Sequence, residues 1–308
     1  MRATRDAYGE ALVELGGINE DVVVLDADLS GSTKTKDFQK AYPERFFNMG
    51  IAEQNLMGVA SGLAASGKKP FASTFAVFAT GRAYDQIRNA ICYPNLGVKV
   101  AATHAGITVG EDGGSHQMLE DINLMRGLPN MQVFVPADAA ETKAIVHAVA
   151  ELDTPCYIRM GRSKVEDVME GKPFQIGKGS VLREGIDATI IACGVMVAIA
   201  LEASELLAEQ GISVTVINMS SIKPIDKPLI LHWARETGAI LTAEEHSIIG
   251  GLGSAVAEVL SEDYPVLLKR IGVEDAFGQS GKPDELMKHY GLTKENLVQA
   301  VQTLVDKK

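Results

Sequence analysis

Two histidines flank an aspartate in Thr103-His104-Ala-Gly106-Ile-Thr-Val-Gly110-Glu-Asp112-Gly-Gly114-Ser115-His116-Gln117. Imidazoles and a carboxylate held close together suit proton transfer, or hydrogen bonding to a hydroxylated substrate. Four glycines within positions 106–114 favour a loop with special backbone angles over a helix. A polar surface turn is the plain alternative and a metal site a third. Metal is the weakest of the three, because no further ligands cluster near these histidines in the sequence.

Glu53 begins the charged-poor stretch Glu53-Gln-Asn-Leu-Met-Gly58-Val-Ala-Ser-Gly62-Leu-Ala-Ala, which follows Gly50-Ile-Ala. Its carboxylate either caps the positive end of a helix dipole or is a buried group able to hold and exchange a proton. Small residues at 58, 60, 61, 62, 64 and 65 predict a helix packed closely against a neighbour. Phe71, Phe75 and Phe78 gather in one segment of a chain that is only 6% aromatic. Core packing is their usual fate; a stacking wall for a flat heterocycle is the functional alternative. Arg5, Ser32 and Arg162 suit anions, but nothing in the sequence brings them together, and surface arginines are the simpler reading. Gly250-Gly-Leu-Gly253 precedes a predicted helix and could cradle an anion, although a tight turn explains it adequately. The remaining histidines, His147, His232, His246 and His289, read as structural or exposed.

The elements that must position these residues alternate. Apolar, β-branched runs at 22–26, 45–48, 70–75, 98–103, 132–135 and 155–159 predict strands. Helical patterns lie between them at 5–15, 55–66, 82–91 and 140–151, the last opened by Asp138 and Glu141 as a capping box. From 163 to 185 the pattern lapses into charges and glycines. A second alternation follows, with strands at 188–193, 213–218, 239–244 and 267–271 and helices at 196–210, 227–236, 254–261 and about 293–306. The expected fold is α/β: a larger domain over 1–165 with a mostly parallel sheet, a linker over 166–185, and a smaller α/β domain over 186–308.

The 308 residues carry 29 Lys and Arg against 40 Asp and Glu, a net charge of −11 that argues against nucleic acid or an anionic membrane as partner. The first residues lack the apolar stretch of a secretory signal. The longest apolar run, 188–201, falls short of the roughly 18 residues a membrane helix needs. Cys92, Cys156 and Cys193 are scattered, which supports neither a disulfide framework nor a zinc site and predicts core thiols in a cytoplasmic protein.

In this order and spacing, Gly50-Ile-Ala-Glu53-Gln-Asn, Thr103-His104, Gly110-Glu-Asp112-Gly, Ser115-His116-Gln117 and Leu128-Pro-Asn130 resemble the pyrimidine-binding half of thiamine-diphosphate enzymes. The resemblance is to transketolases split into two chains, specifically their C-terminal subunit, and it runs from Ala3 to the end of the chain. It implies transfer of a two-carbon ketol unit from a ketose phosphate to an aldose phosphate. Glu53 then matches the glutamate that hydrogen-bonds the cofactor's aminopyrimidine, and Phe75 and Phe78 match aromatics around that ring. Asp28 matches an acidic residue near the cofactor at the subunit contact. His104, Asp112 and His116 match groups that meet sugar hydroxyls and reacting oxygens, while Arg5, Ser32 and Arg162 match a phosphate grip.

Two departures stand out. Gly114 replaces a common proline, which predicts a looser histidine loop, and Gly81 replaces a tyrosine found in some transketolases. Arg82-Ala-Tyr84-Asp-Gln is closer to 1-deoxyxylulose-phosphate synthases and the β subunits of 2-oxoacid dehydrogenases, the runner-up families, whereas His104 is the feature that favours transketolase. The family's Gly-Asp-Gly magnesium and diphosphate segment does not occur here. The resemblance therefore implies thiamine diphosphate and Mg2+ shared with an N-terminal partner subunit, in an α2β2 assembly, with no activity from this chain alone. A non-catalytic α/β protein that stabilises a partner is the alternative of a different class; in it Glu53 is only a helix cap.

Overall fold

The computed structural model describes residues 1–169 and 171–308. The β-branched runs form strands, in chain order β1 (Arg2–Ala3), β2 (Val22–Asp26), β3 (Phe46–Asn48), β4 (Lys69–Phe75), β5 (Lys99–Thr103), β6 (Gln132–Phe134), β7 (Cys156–Arg159), β8 (Lys164–Val165), β9 (Ser180–Arg183), β10 (Ala188–Ala192), β11 (Val214–Asn218), β12 (Ser221–Lys223), β13 (Ala239–Ser247) and β14 (Leu267–Val273). A seven-stranded sheet in the order β12-β6-β7-β5-β4-β2-β3 is parallel throughout except where β12 joins β6. Every residue of β2, β5 and β7 is buried, as continuous apolar strands are when helices cover both faces of a parallel sheet. Tyr8, Leu12, Ile145 and Val149, from helices Thr4–Ile18 and Ala139–Ala150, cover one face. Leu56, Met57, Ile87 and Ile91 cover the other.

The second sheet, β14-β13-β10-β11-β9, is parallel except for β9. That strand lies inside the stretch expected as a linker. Val181 and Leu182 are two apolar residues among charges and glycines, too short a signal to read, yet pairing with β11 satisfies their backbone. β12 departs further: it comes from the second half of the chain and closes the first sheet's edge. Met118, Ile122 and Val133 accordingly share one apolar cluster with Ile217, Ile222 and Ile240. The two halves are joined by a common core, not hung on a tether.

The helix expected at 82–91 is wound differently. Ala83 N–H donates to the Phe78 carbonyl at 3.3 Å and Tyr93 N–H to that of Arg88 at 2.9 Å, both i→i+5, on either side of a short α-helical turn at Tyr84–Gln86. Ala79, Ala83, Ile87 and Ile91 are all buried. Their strict four-residue spacing exceeds the 3.6-residue α period, so wider turns keep the apolar stripe straight. At 138–141 the cap is as expected in part: Asp138 accepts from Glu141 N–H at 2.8 Å, while the Glu141 carboxylate reaches Ala137 N–H at 2.7 Å, one residue earlier than a capping box requires. The three cysteines are buried and unpaired. Among the described residues no helix is long and apolar enough to cross a membrane.

Candidate active site

Five parallel strands deliver the candidate residues at their C-terminal ends: Asp28 and Ser32 after β2, Glu53 after β3, Phe75 and Phe78 at β4, His104 directly after β5, and Arg162 after β7. That edge is where open parallel sheets bind ligands, because loops diverge there while the strands below stay rigid.

His104, Phe75, Phe78 and His116 form one aromatic cluster. The His104 ring lies on Phe75 at 3.7 Å between centroids and 21° between planes. Phe75 and Phe78 stack at 5.8 Å, and His116 stands edge-on to both, at 6.4 and 5.5 Å. Arg5 Nη1 donates to His104 Nε2 at 3.1 Å. Arginine has no acceptor, so the ring proton sits on Nδ1 and is donated to Thr103 Oγ1 at 2.8 Å. Burial, then the positive charges of Arg5 and Arg162 and the neighbouring His116, pushes the His104 imidazole down to about 3. His104 is therefore neutral near pH 7, with its Nε2 lone pair taken by Arg5.

Glu53 is the first residue of the helix Glu53–Ala65 and is 2% exposed. Both carboxylate oxygens accept from Arg82 Nη1, at 2.9 and 3.0 Å. The same guanidinium lies over the Phe78 ring at 4.7 Å. A planar hydrogen-bonding group thus bridges a buried carboxylate and an aromatic face. Arg82 was not read as a site residue in the sequence, where Arg82-Ala-Tyr84-Asp-Gln pointed only to the runner-up families; Gln54, whose side chain reaches the Arg82 carbonyl, was given no role of its own. The small-residue helix is another correction. A Cβ built on Gly58 or Gly62 meets nothing within 4 Å. The close neighbour predicted for that face is not found among the described residues.

Arg5 also donates to the Ser32 carbonyl at 3.1 Å, so Arg5, Ser32 and His104 meet. Arg5 Nε is buried and has no hydrogen-bond partner among the described residues. Arg162 is half-exposed and lies 3.7 Å from Asp112 and 3.8 Å from Glu111. Asp28 stands apart. It is exposed, has a left-handed backbone at φ 62°, and bonds to Asn48 Nδ2 at 3.0 Å. Beneath it, buried Asp26 accepts from Leu29 N–H, Thr33 and Thr35 and so shapes the loop that carries Ser32.

The histidine loop is not loosened by Gly114. A Cβ there would stand 2.4 Å from the carbonyl oxygen of Gly278, so glycine is what allows this close approach to a second-half segment. Gly250-Gly-Leu-Gly253 is not an open anion cradle, because the chain's own Glu244 carboxyl group already fills it. Glu244 accepts from Leu252 N–H at 2.7 Å and Gly253 N–H at 2.8 Å. Among the other histidines, His246 is fully buried and His147 meets Glu14 on the surface at 3.2 Å. No group of three or more potential metal ligands occurs among the described residues. Clefts of about 480 and 430 Å3 lie elsewhere, the first by Lys223 and Glu258, the second by Leu268 and Thr303, so volume does not mark this site.

Fold and site together define an α/β protein that offers a carboxylate, an aromatic wall and two histidines at the carboxyl edge of a parallel sheet. Residues 1–167 match the transketolase pyrimidine-binding domain and 177–297 the transketolase C-terminal domain. A transketolase C-terminal section from Methanocaldococcus jannaschii is 53% identical over 304 residues, covering 97% of this chain and 95% of that protein. The solved structure of a split-gene transketolase, an inactive β4 tetramer, is 61% identical with a TM-score of 0.93 and 99% of each chain covered. Human transketolase is 38% identical over 310 residues, which are 99% of this chain but 49% of the human one. The chain belongs to the transketolase family and corresponds to the C-terminal section of its split-gene members. The synthase alternative gains no better support from these likenesses.

The residues present fit the aminopyrimidine of thiamine diphosphate. Glu53 offers a buried acceptor beside an aromatic face, and the Arg82 guanidinium occupies that place as a flat, hydrogen-bonding stand-in.

Proposed function

We propose that this chain is the pyrimidine-side subunit of a two-chain transketolase. It moves a two-carbon ketol unit from a ketose phosphate to an aldose phosphate, with thiamine diphosphate held between it and an N-terminal subunit that brings Mg2+ and the diphosphate site. The observation that carries this reading is His104, stacked on Phe75 and met by Arg5, in the same aromatic cluster as the Phe78 ring beside Glu53. Bound thiamine diphosphate supplies the nucleophilic carbon and the electron sink for breaking a bond beside a carbonyl.

This chain's residues do the rest. Glu53 receives a ring N–H once Arg82 turns aside and fixes the proton balance of that ring. Phe75 and Phe78 exclude water from its face. Once a sugar phosphate draws Arg5 away, the Nε2 of neutral His104 is free to accept a hydrogen bond from a substrate hydroxyl, and His116, whose Nδ1 is 2.9 Å from Ser115 Oγ, serves the reacting oxygens together with Asp112. Arg5, with an unused buried Nε, and Arg162 hold the sugar phosphate near Ser32, since guanidinium groups bind phosphate through paired donors. Asp28 contributes at the rim, toward the partner. The uncovered glycines at 58 and 62 and the exposed Ile51 support a second chain closing over the site.

Product analysis tests the reaction class. With xylulose 5-phosphate and ribose 5-phosphate, the assembled pair should form a seven-carbon ketose phosphate and release no carbon dioxide. Carbon dioxide release from pyruvate and glyceraldehyde 3-phosphate, with no two-carbon transfer, would move the chain to the synthase class.

A further inference from the structure

The second half of the chain reaches the histidine loop at both of its ends. On the near side, Glu245 at the end of β13 extends its buried carboxylate under residues 106–108. Its Oε1 accepts from Thr108 N–H at 2.7 Å, and a Cβ on Gly106 would fall 2.3 Å from its carboxyl carbon. This anchor lies four residues after His104. Gly106 has φ 83° and His104 φ 58°, so the chain turns sharply between them and the anchor decides where the turn points.

On the far side, Gln117, which follows His116 directly, donates from Nε2 to the carbonyls of Ile107, Gly110 and Gln279 at 3.1, 3.1 and 3.0 Å. Ser280 Oγ donates to the Glu111 carbonyl at 2.6 Å, beside Asp112. Gly113 and Gly114 lie against Ser280 and Gly278 so closely that neither has room for a Cβ.

Glu245 is itself held from the first sheet. Arg159 Nη2 donates to the Glu245 carbonyl at 2.9 Å and to that of Met118 at 3.3 Å, while its Nε pairs with Asp121 at 2.8 Å. Tyr157 OH gives Asp121 a second donor at 2.6 Å. A charge is expensive to bury unless paired, and nothing in the chemistry proposed above uses Glu245, Arg159 or Asp121. What this network does is join the loop's entry to the strand that carries the second domain.

We infer that the second domain is the template for the substrate-facing histidine loop, with Glu245 as a positioning residue that sets His104 through the Thr108 amide and the Gln279–Ser280 segment setting His116 from the other end. This rests on the transketolase reading for its kinetic consequence but not for its structural one. Removing either anchor displaces imidazoles relative to Phe75 and Phe78 without touching Glu53, and displacements near 1 Å cost about 100-fold in rate.

The test compares Glu245→Ala, Glu245→Gln and Ser280→Ala, the last an exposed site where folding is not at stake. In the full chain alone, amide exchange at Thr108 should quicken by about 100-fold or more in Glu245→Ala, and the ring signals of His104 should move. Glu245→Gln keeps an acceptor oxygen and should restore both. In Ser280→Ala the signals of His116 should move while those of His104 stay. In the two-chain complex with thiamine diphosphate and Mg2+, Glu245→Ala should lower kcat by about 10- to 100-fold, with cofactor affinity within about twofold of wild type and Glu245→Gln recovering most of the loss. The inference is overturned if His104 and Thr108 signals are unchanged in Glu245→Ala, or if they move while kcat does not. It is equally overturned if kcat falls only in step with cofactor affinity and melting temperature, the mark of a general structural role. An assembled wild-type pair without ketol transfer would instead count against the proposed function, and the histidine and amide signals of the single chain would still decide the loop's template.

Discussion

In the first half of the chain Glu53 opens its helix with its carboxylate turned to a side chain, Arg82, that can rotate away. In the second half Glu244 sits at the end of a strand before a glycine turn and spends both oxygens on backbone N–H groups of its own helix, Leu252 and Gly253. Both are buried acids beside helix starts; the sequence singled out Glu53 itself, but in the second half only the glycine turn at 250–253 that Glu244 fills. The difference is what satisfies them. A carboxyl met by backbone is closed for good; one met by a half-exposed guanidinium lying over an aromatic face is open to exchange that partner for a ligand.

Substituting each acid breaks the comparison most directly. Glu53→Gln in the assembled pair should cut turnover by about 1,000-fold with the melting temperature nearly unchanged, measured by steady-state kinetics and calorimetry. An effect below about tenfold would make Glu53 a helix cap and favour the non-catalytic alternative. Glu244→Ala should do the reverse. Stranding two buried N–H groups should destabilise the chain by about 3 kcal/mol in denaturant titration, with turnover per folded site unchanged.

Acid sharpens the contrast. Burial also lowers His246, to about 4, and raises Glu244 to about 7, so the overall pH dependence mixes opposing signs. His104 can be isolated by difference. Its folded value near 3 lies below the ordinary imidazole value of about 6.5, so its stabilising share is complete above that value and is lost as pH falls from there toward 3. Between pH 7 and pH 5 wild type should lose about 2 kcal/mol more stability than His104→Gln, by urea titration at both pH values. Equal losses would mean that the imidazole is not held neutral. Smallest is the phosphate grip: Arg162→Ala should raise KM for a phosphorylated acceptor about tenfold while leaving an unphosphorylated one unaffected. Equal changes for both would remove Arg162 from that role.

Much of this site was legible because chemistry and position coincided. Glu53 and the His104–His116 loop follow predicted strands, and β-branched runs place strand ends well. The convergence of Arg5, Ser32 and His104 was not legible, since it depends on how the first helix docks on the sheet. Arg82 was hidden by its helical context, and the four-residue stripe from Ala79 to Ile91 looked α-helical because spacing alone does not separate neighbouring periods. Gly114 was misjudged for a related reason: its value lies in Gly278, 164 residues away, and local turn chemistry says nothing about that contact. For the glycines at 58 and 62 no described residue supplies the close neighbour that a run of small side chains suggested.

The central claim is that this chain holds half of a catalytic site. Its most direct test is ketol transfer measured for the purified chain, for a diphosphate-domain subunit, and for the two mixed with thiamine diphosphate and Mg2+. The account predicts no turnover from either chain and activity in the mixture that saturates as the subunits reach equal numbers. Turnover by the rigorously purified single chain, or none from a mixture proven to have assembled with cofactor bound, would contradict it.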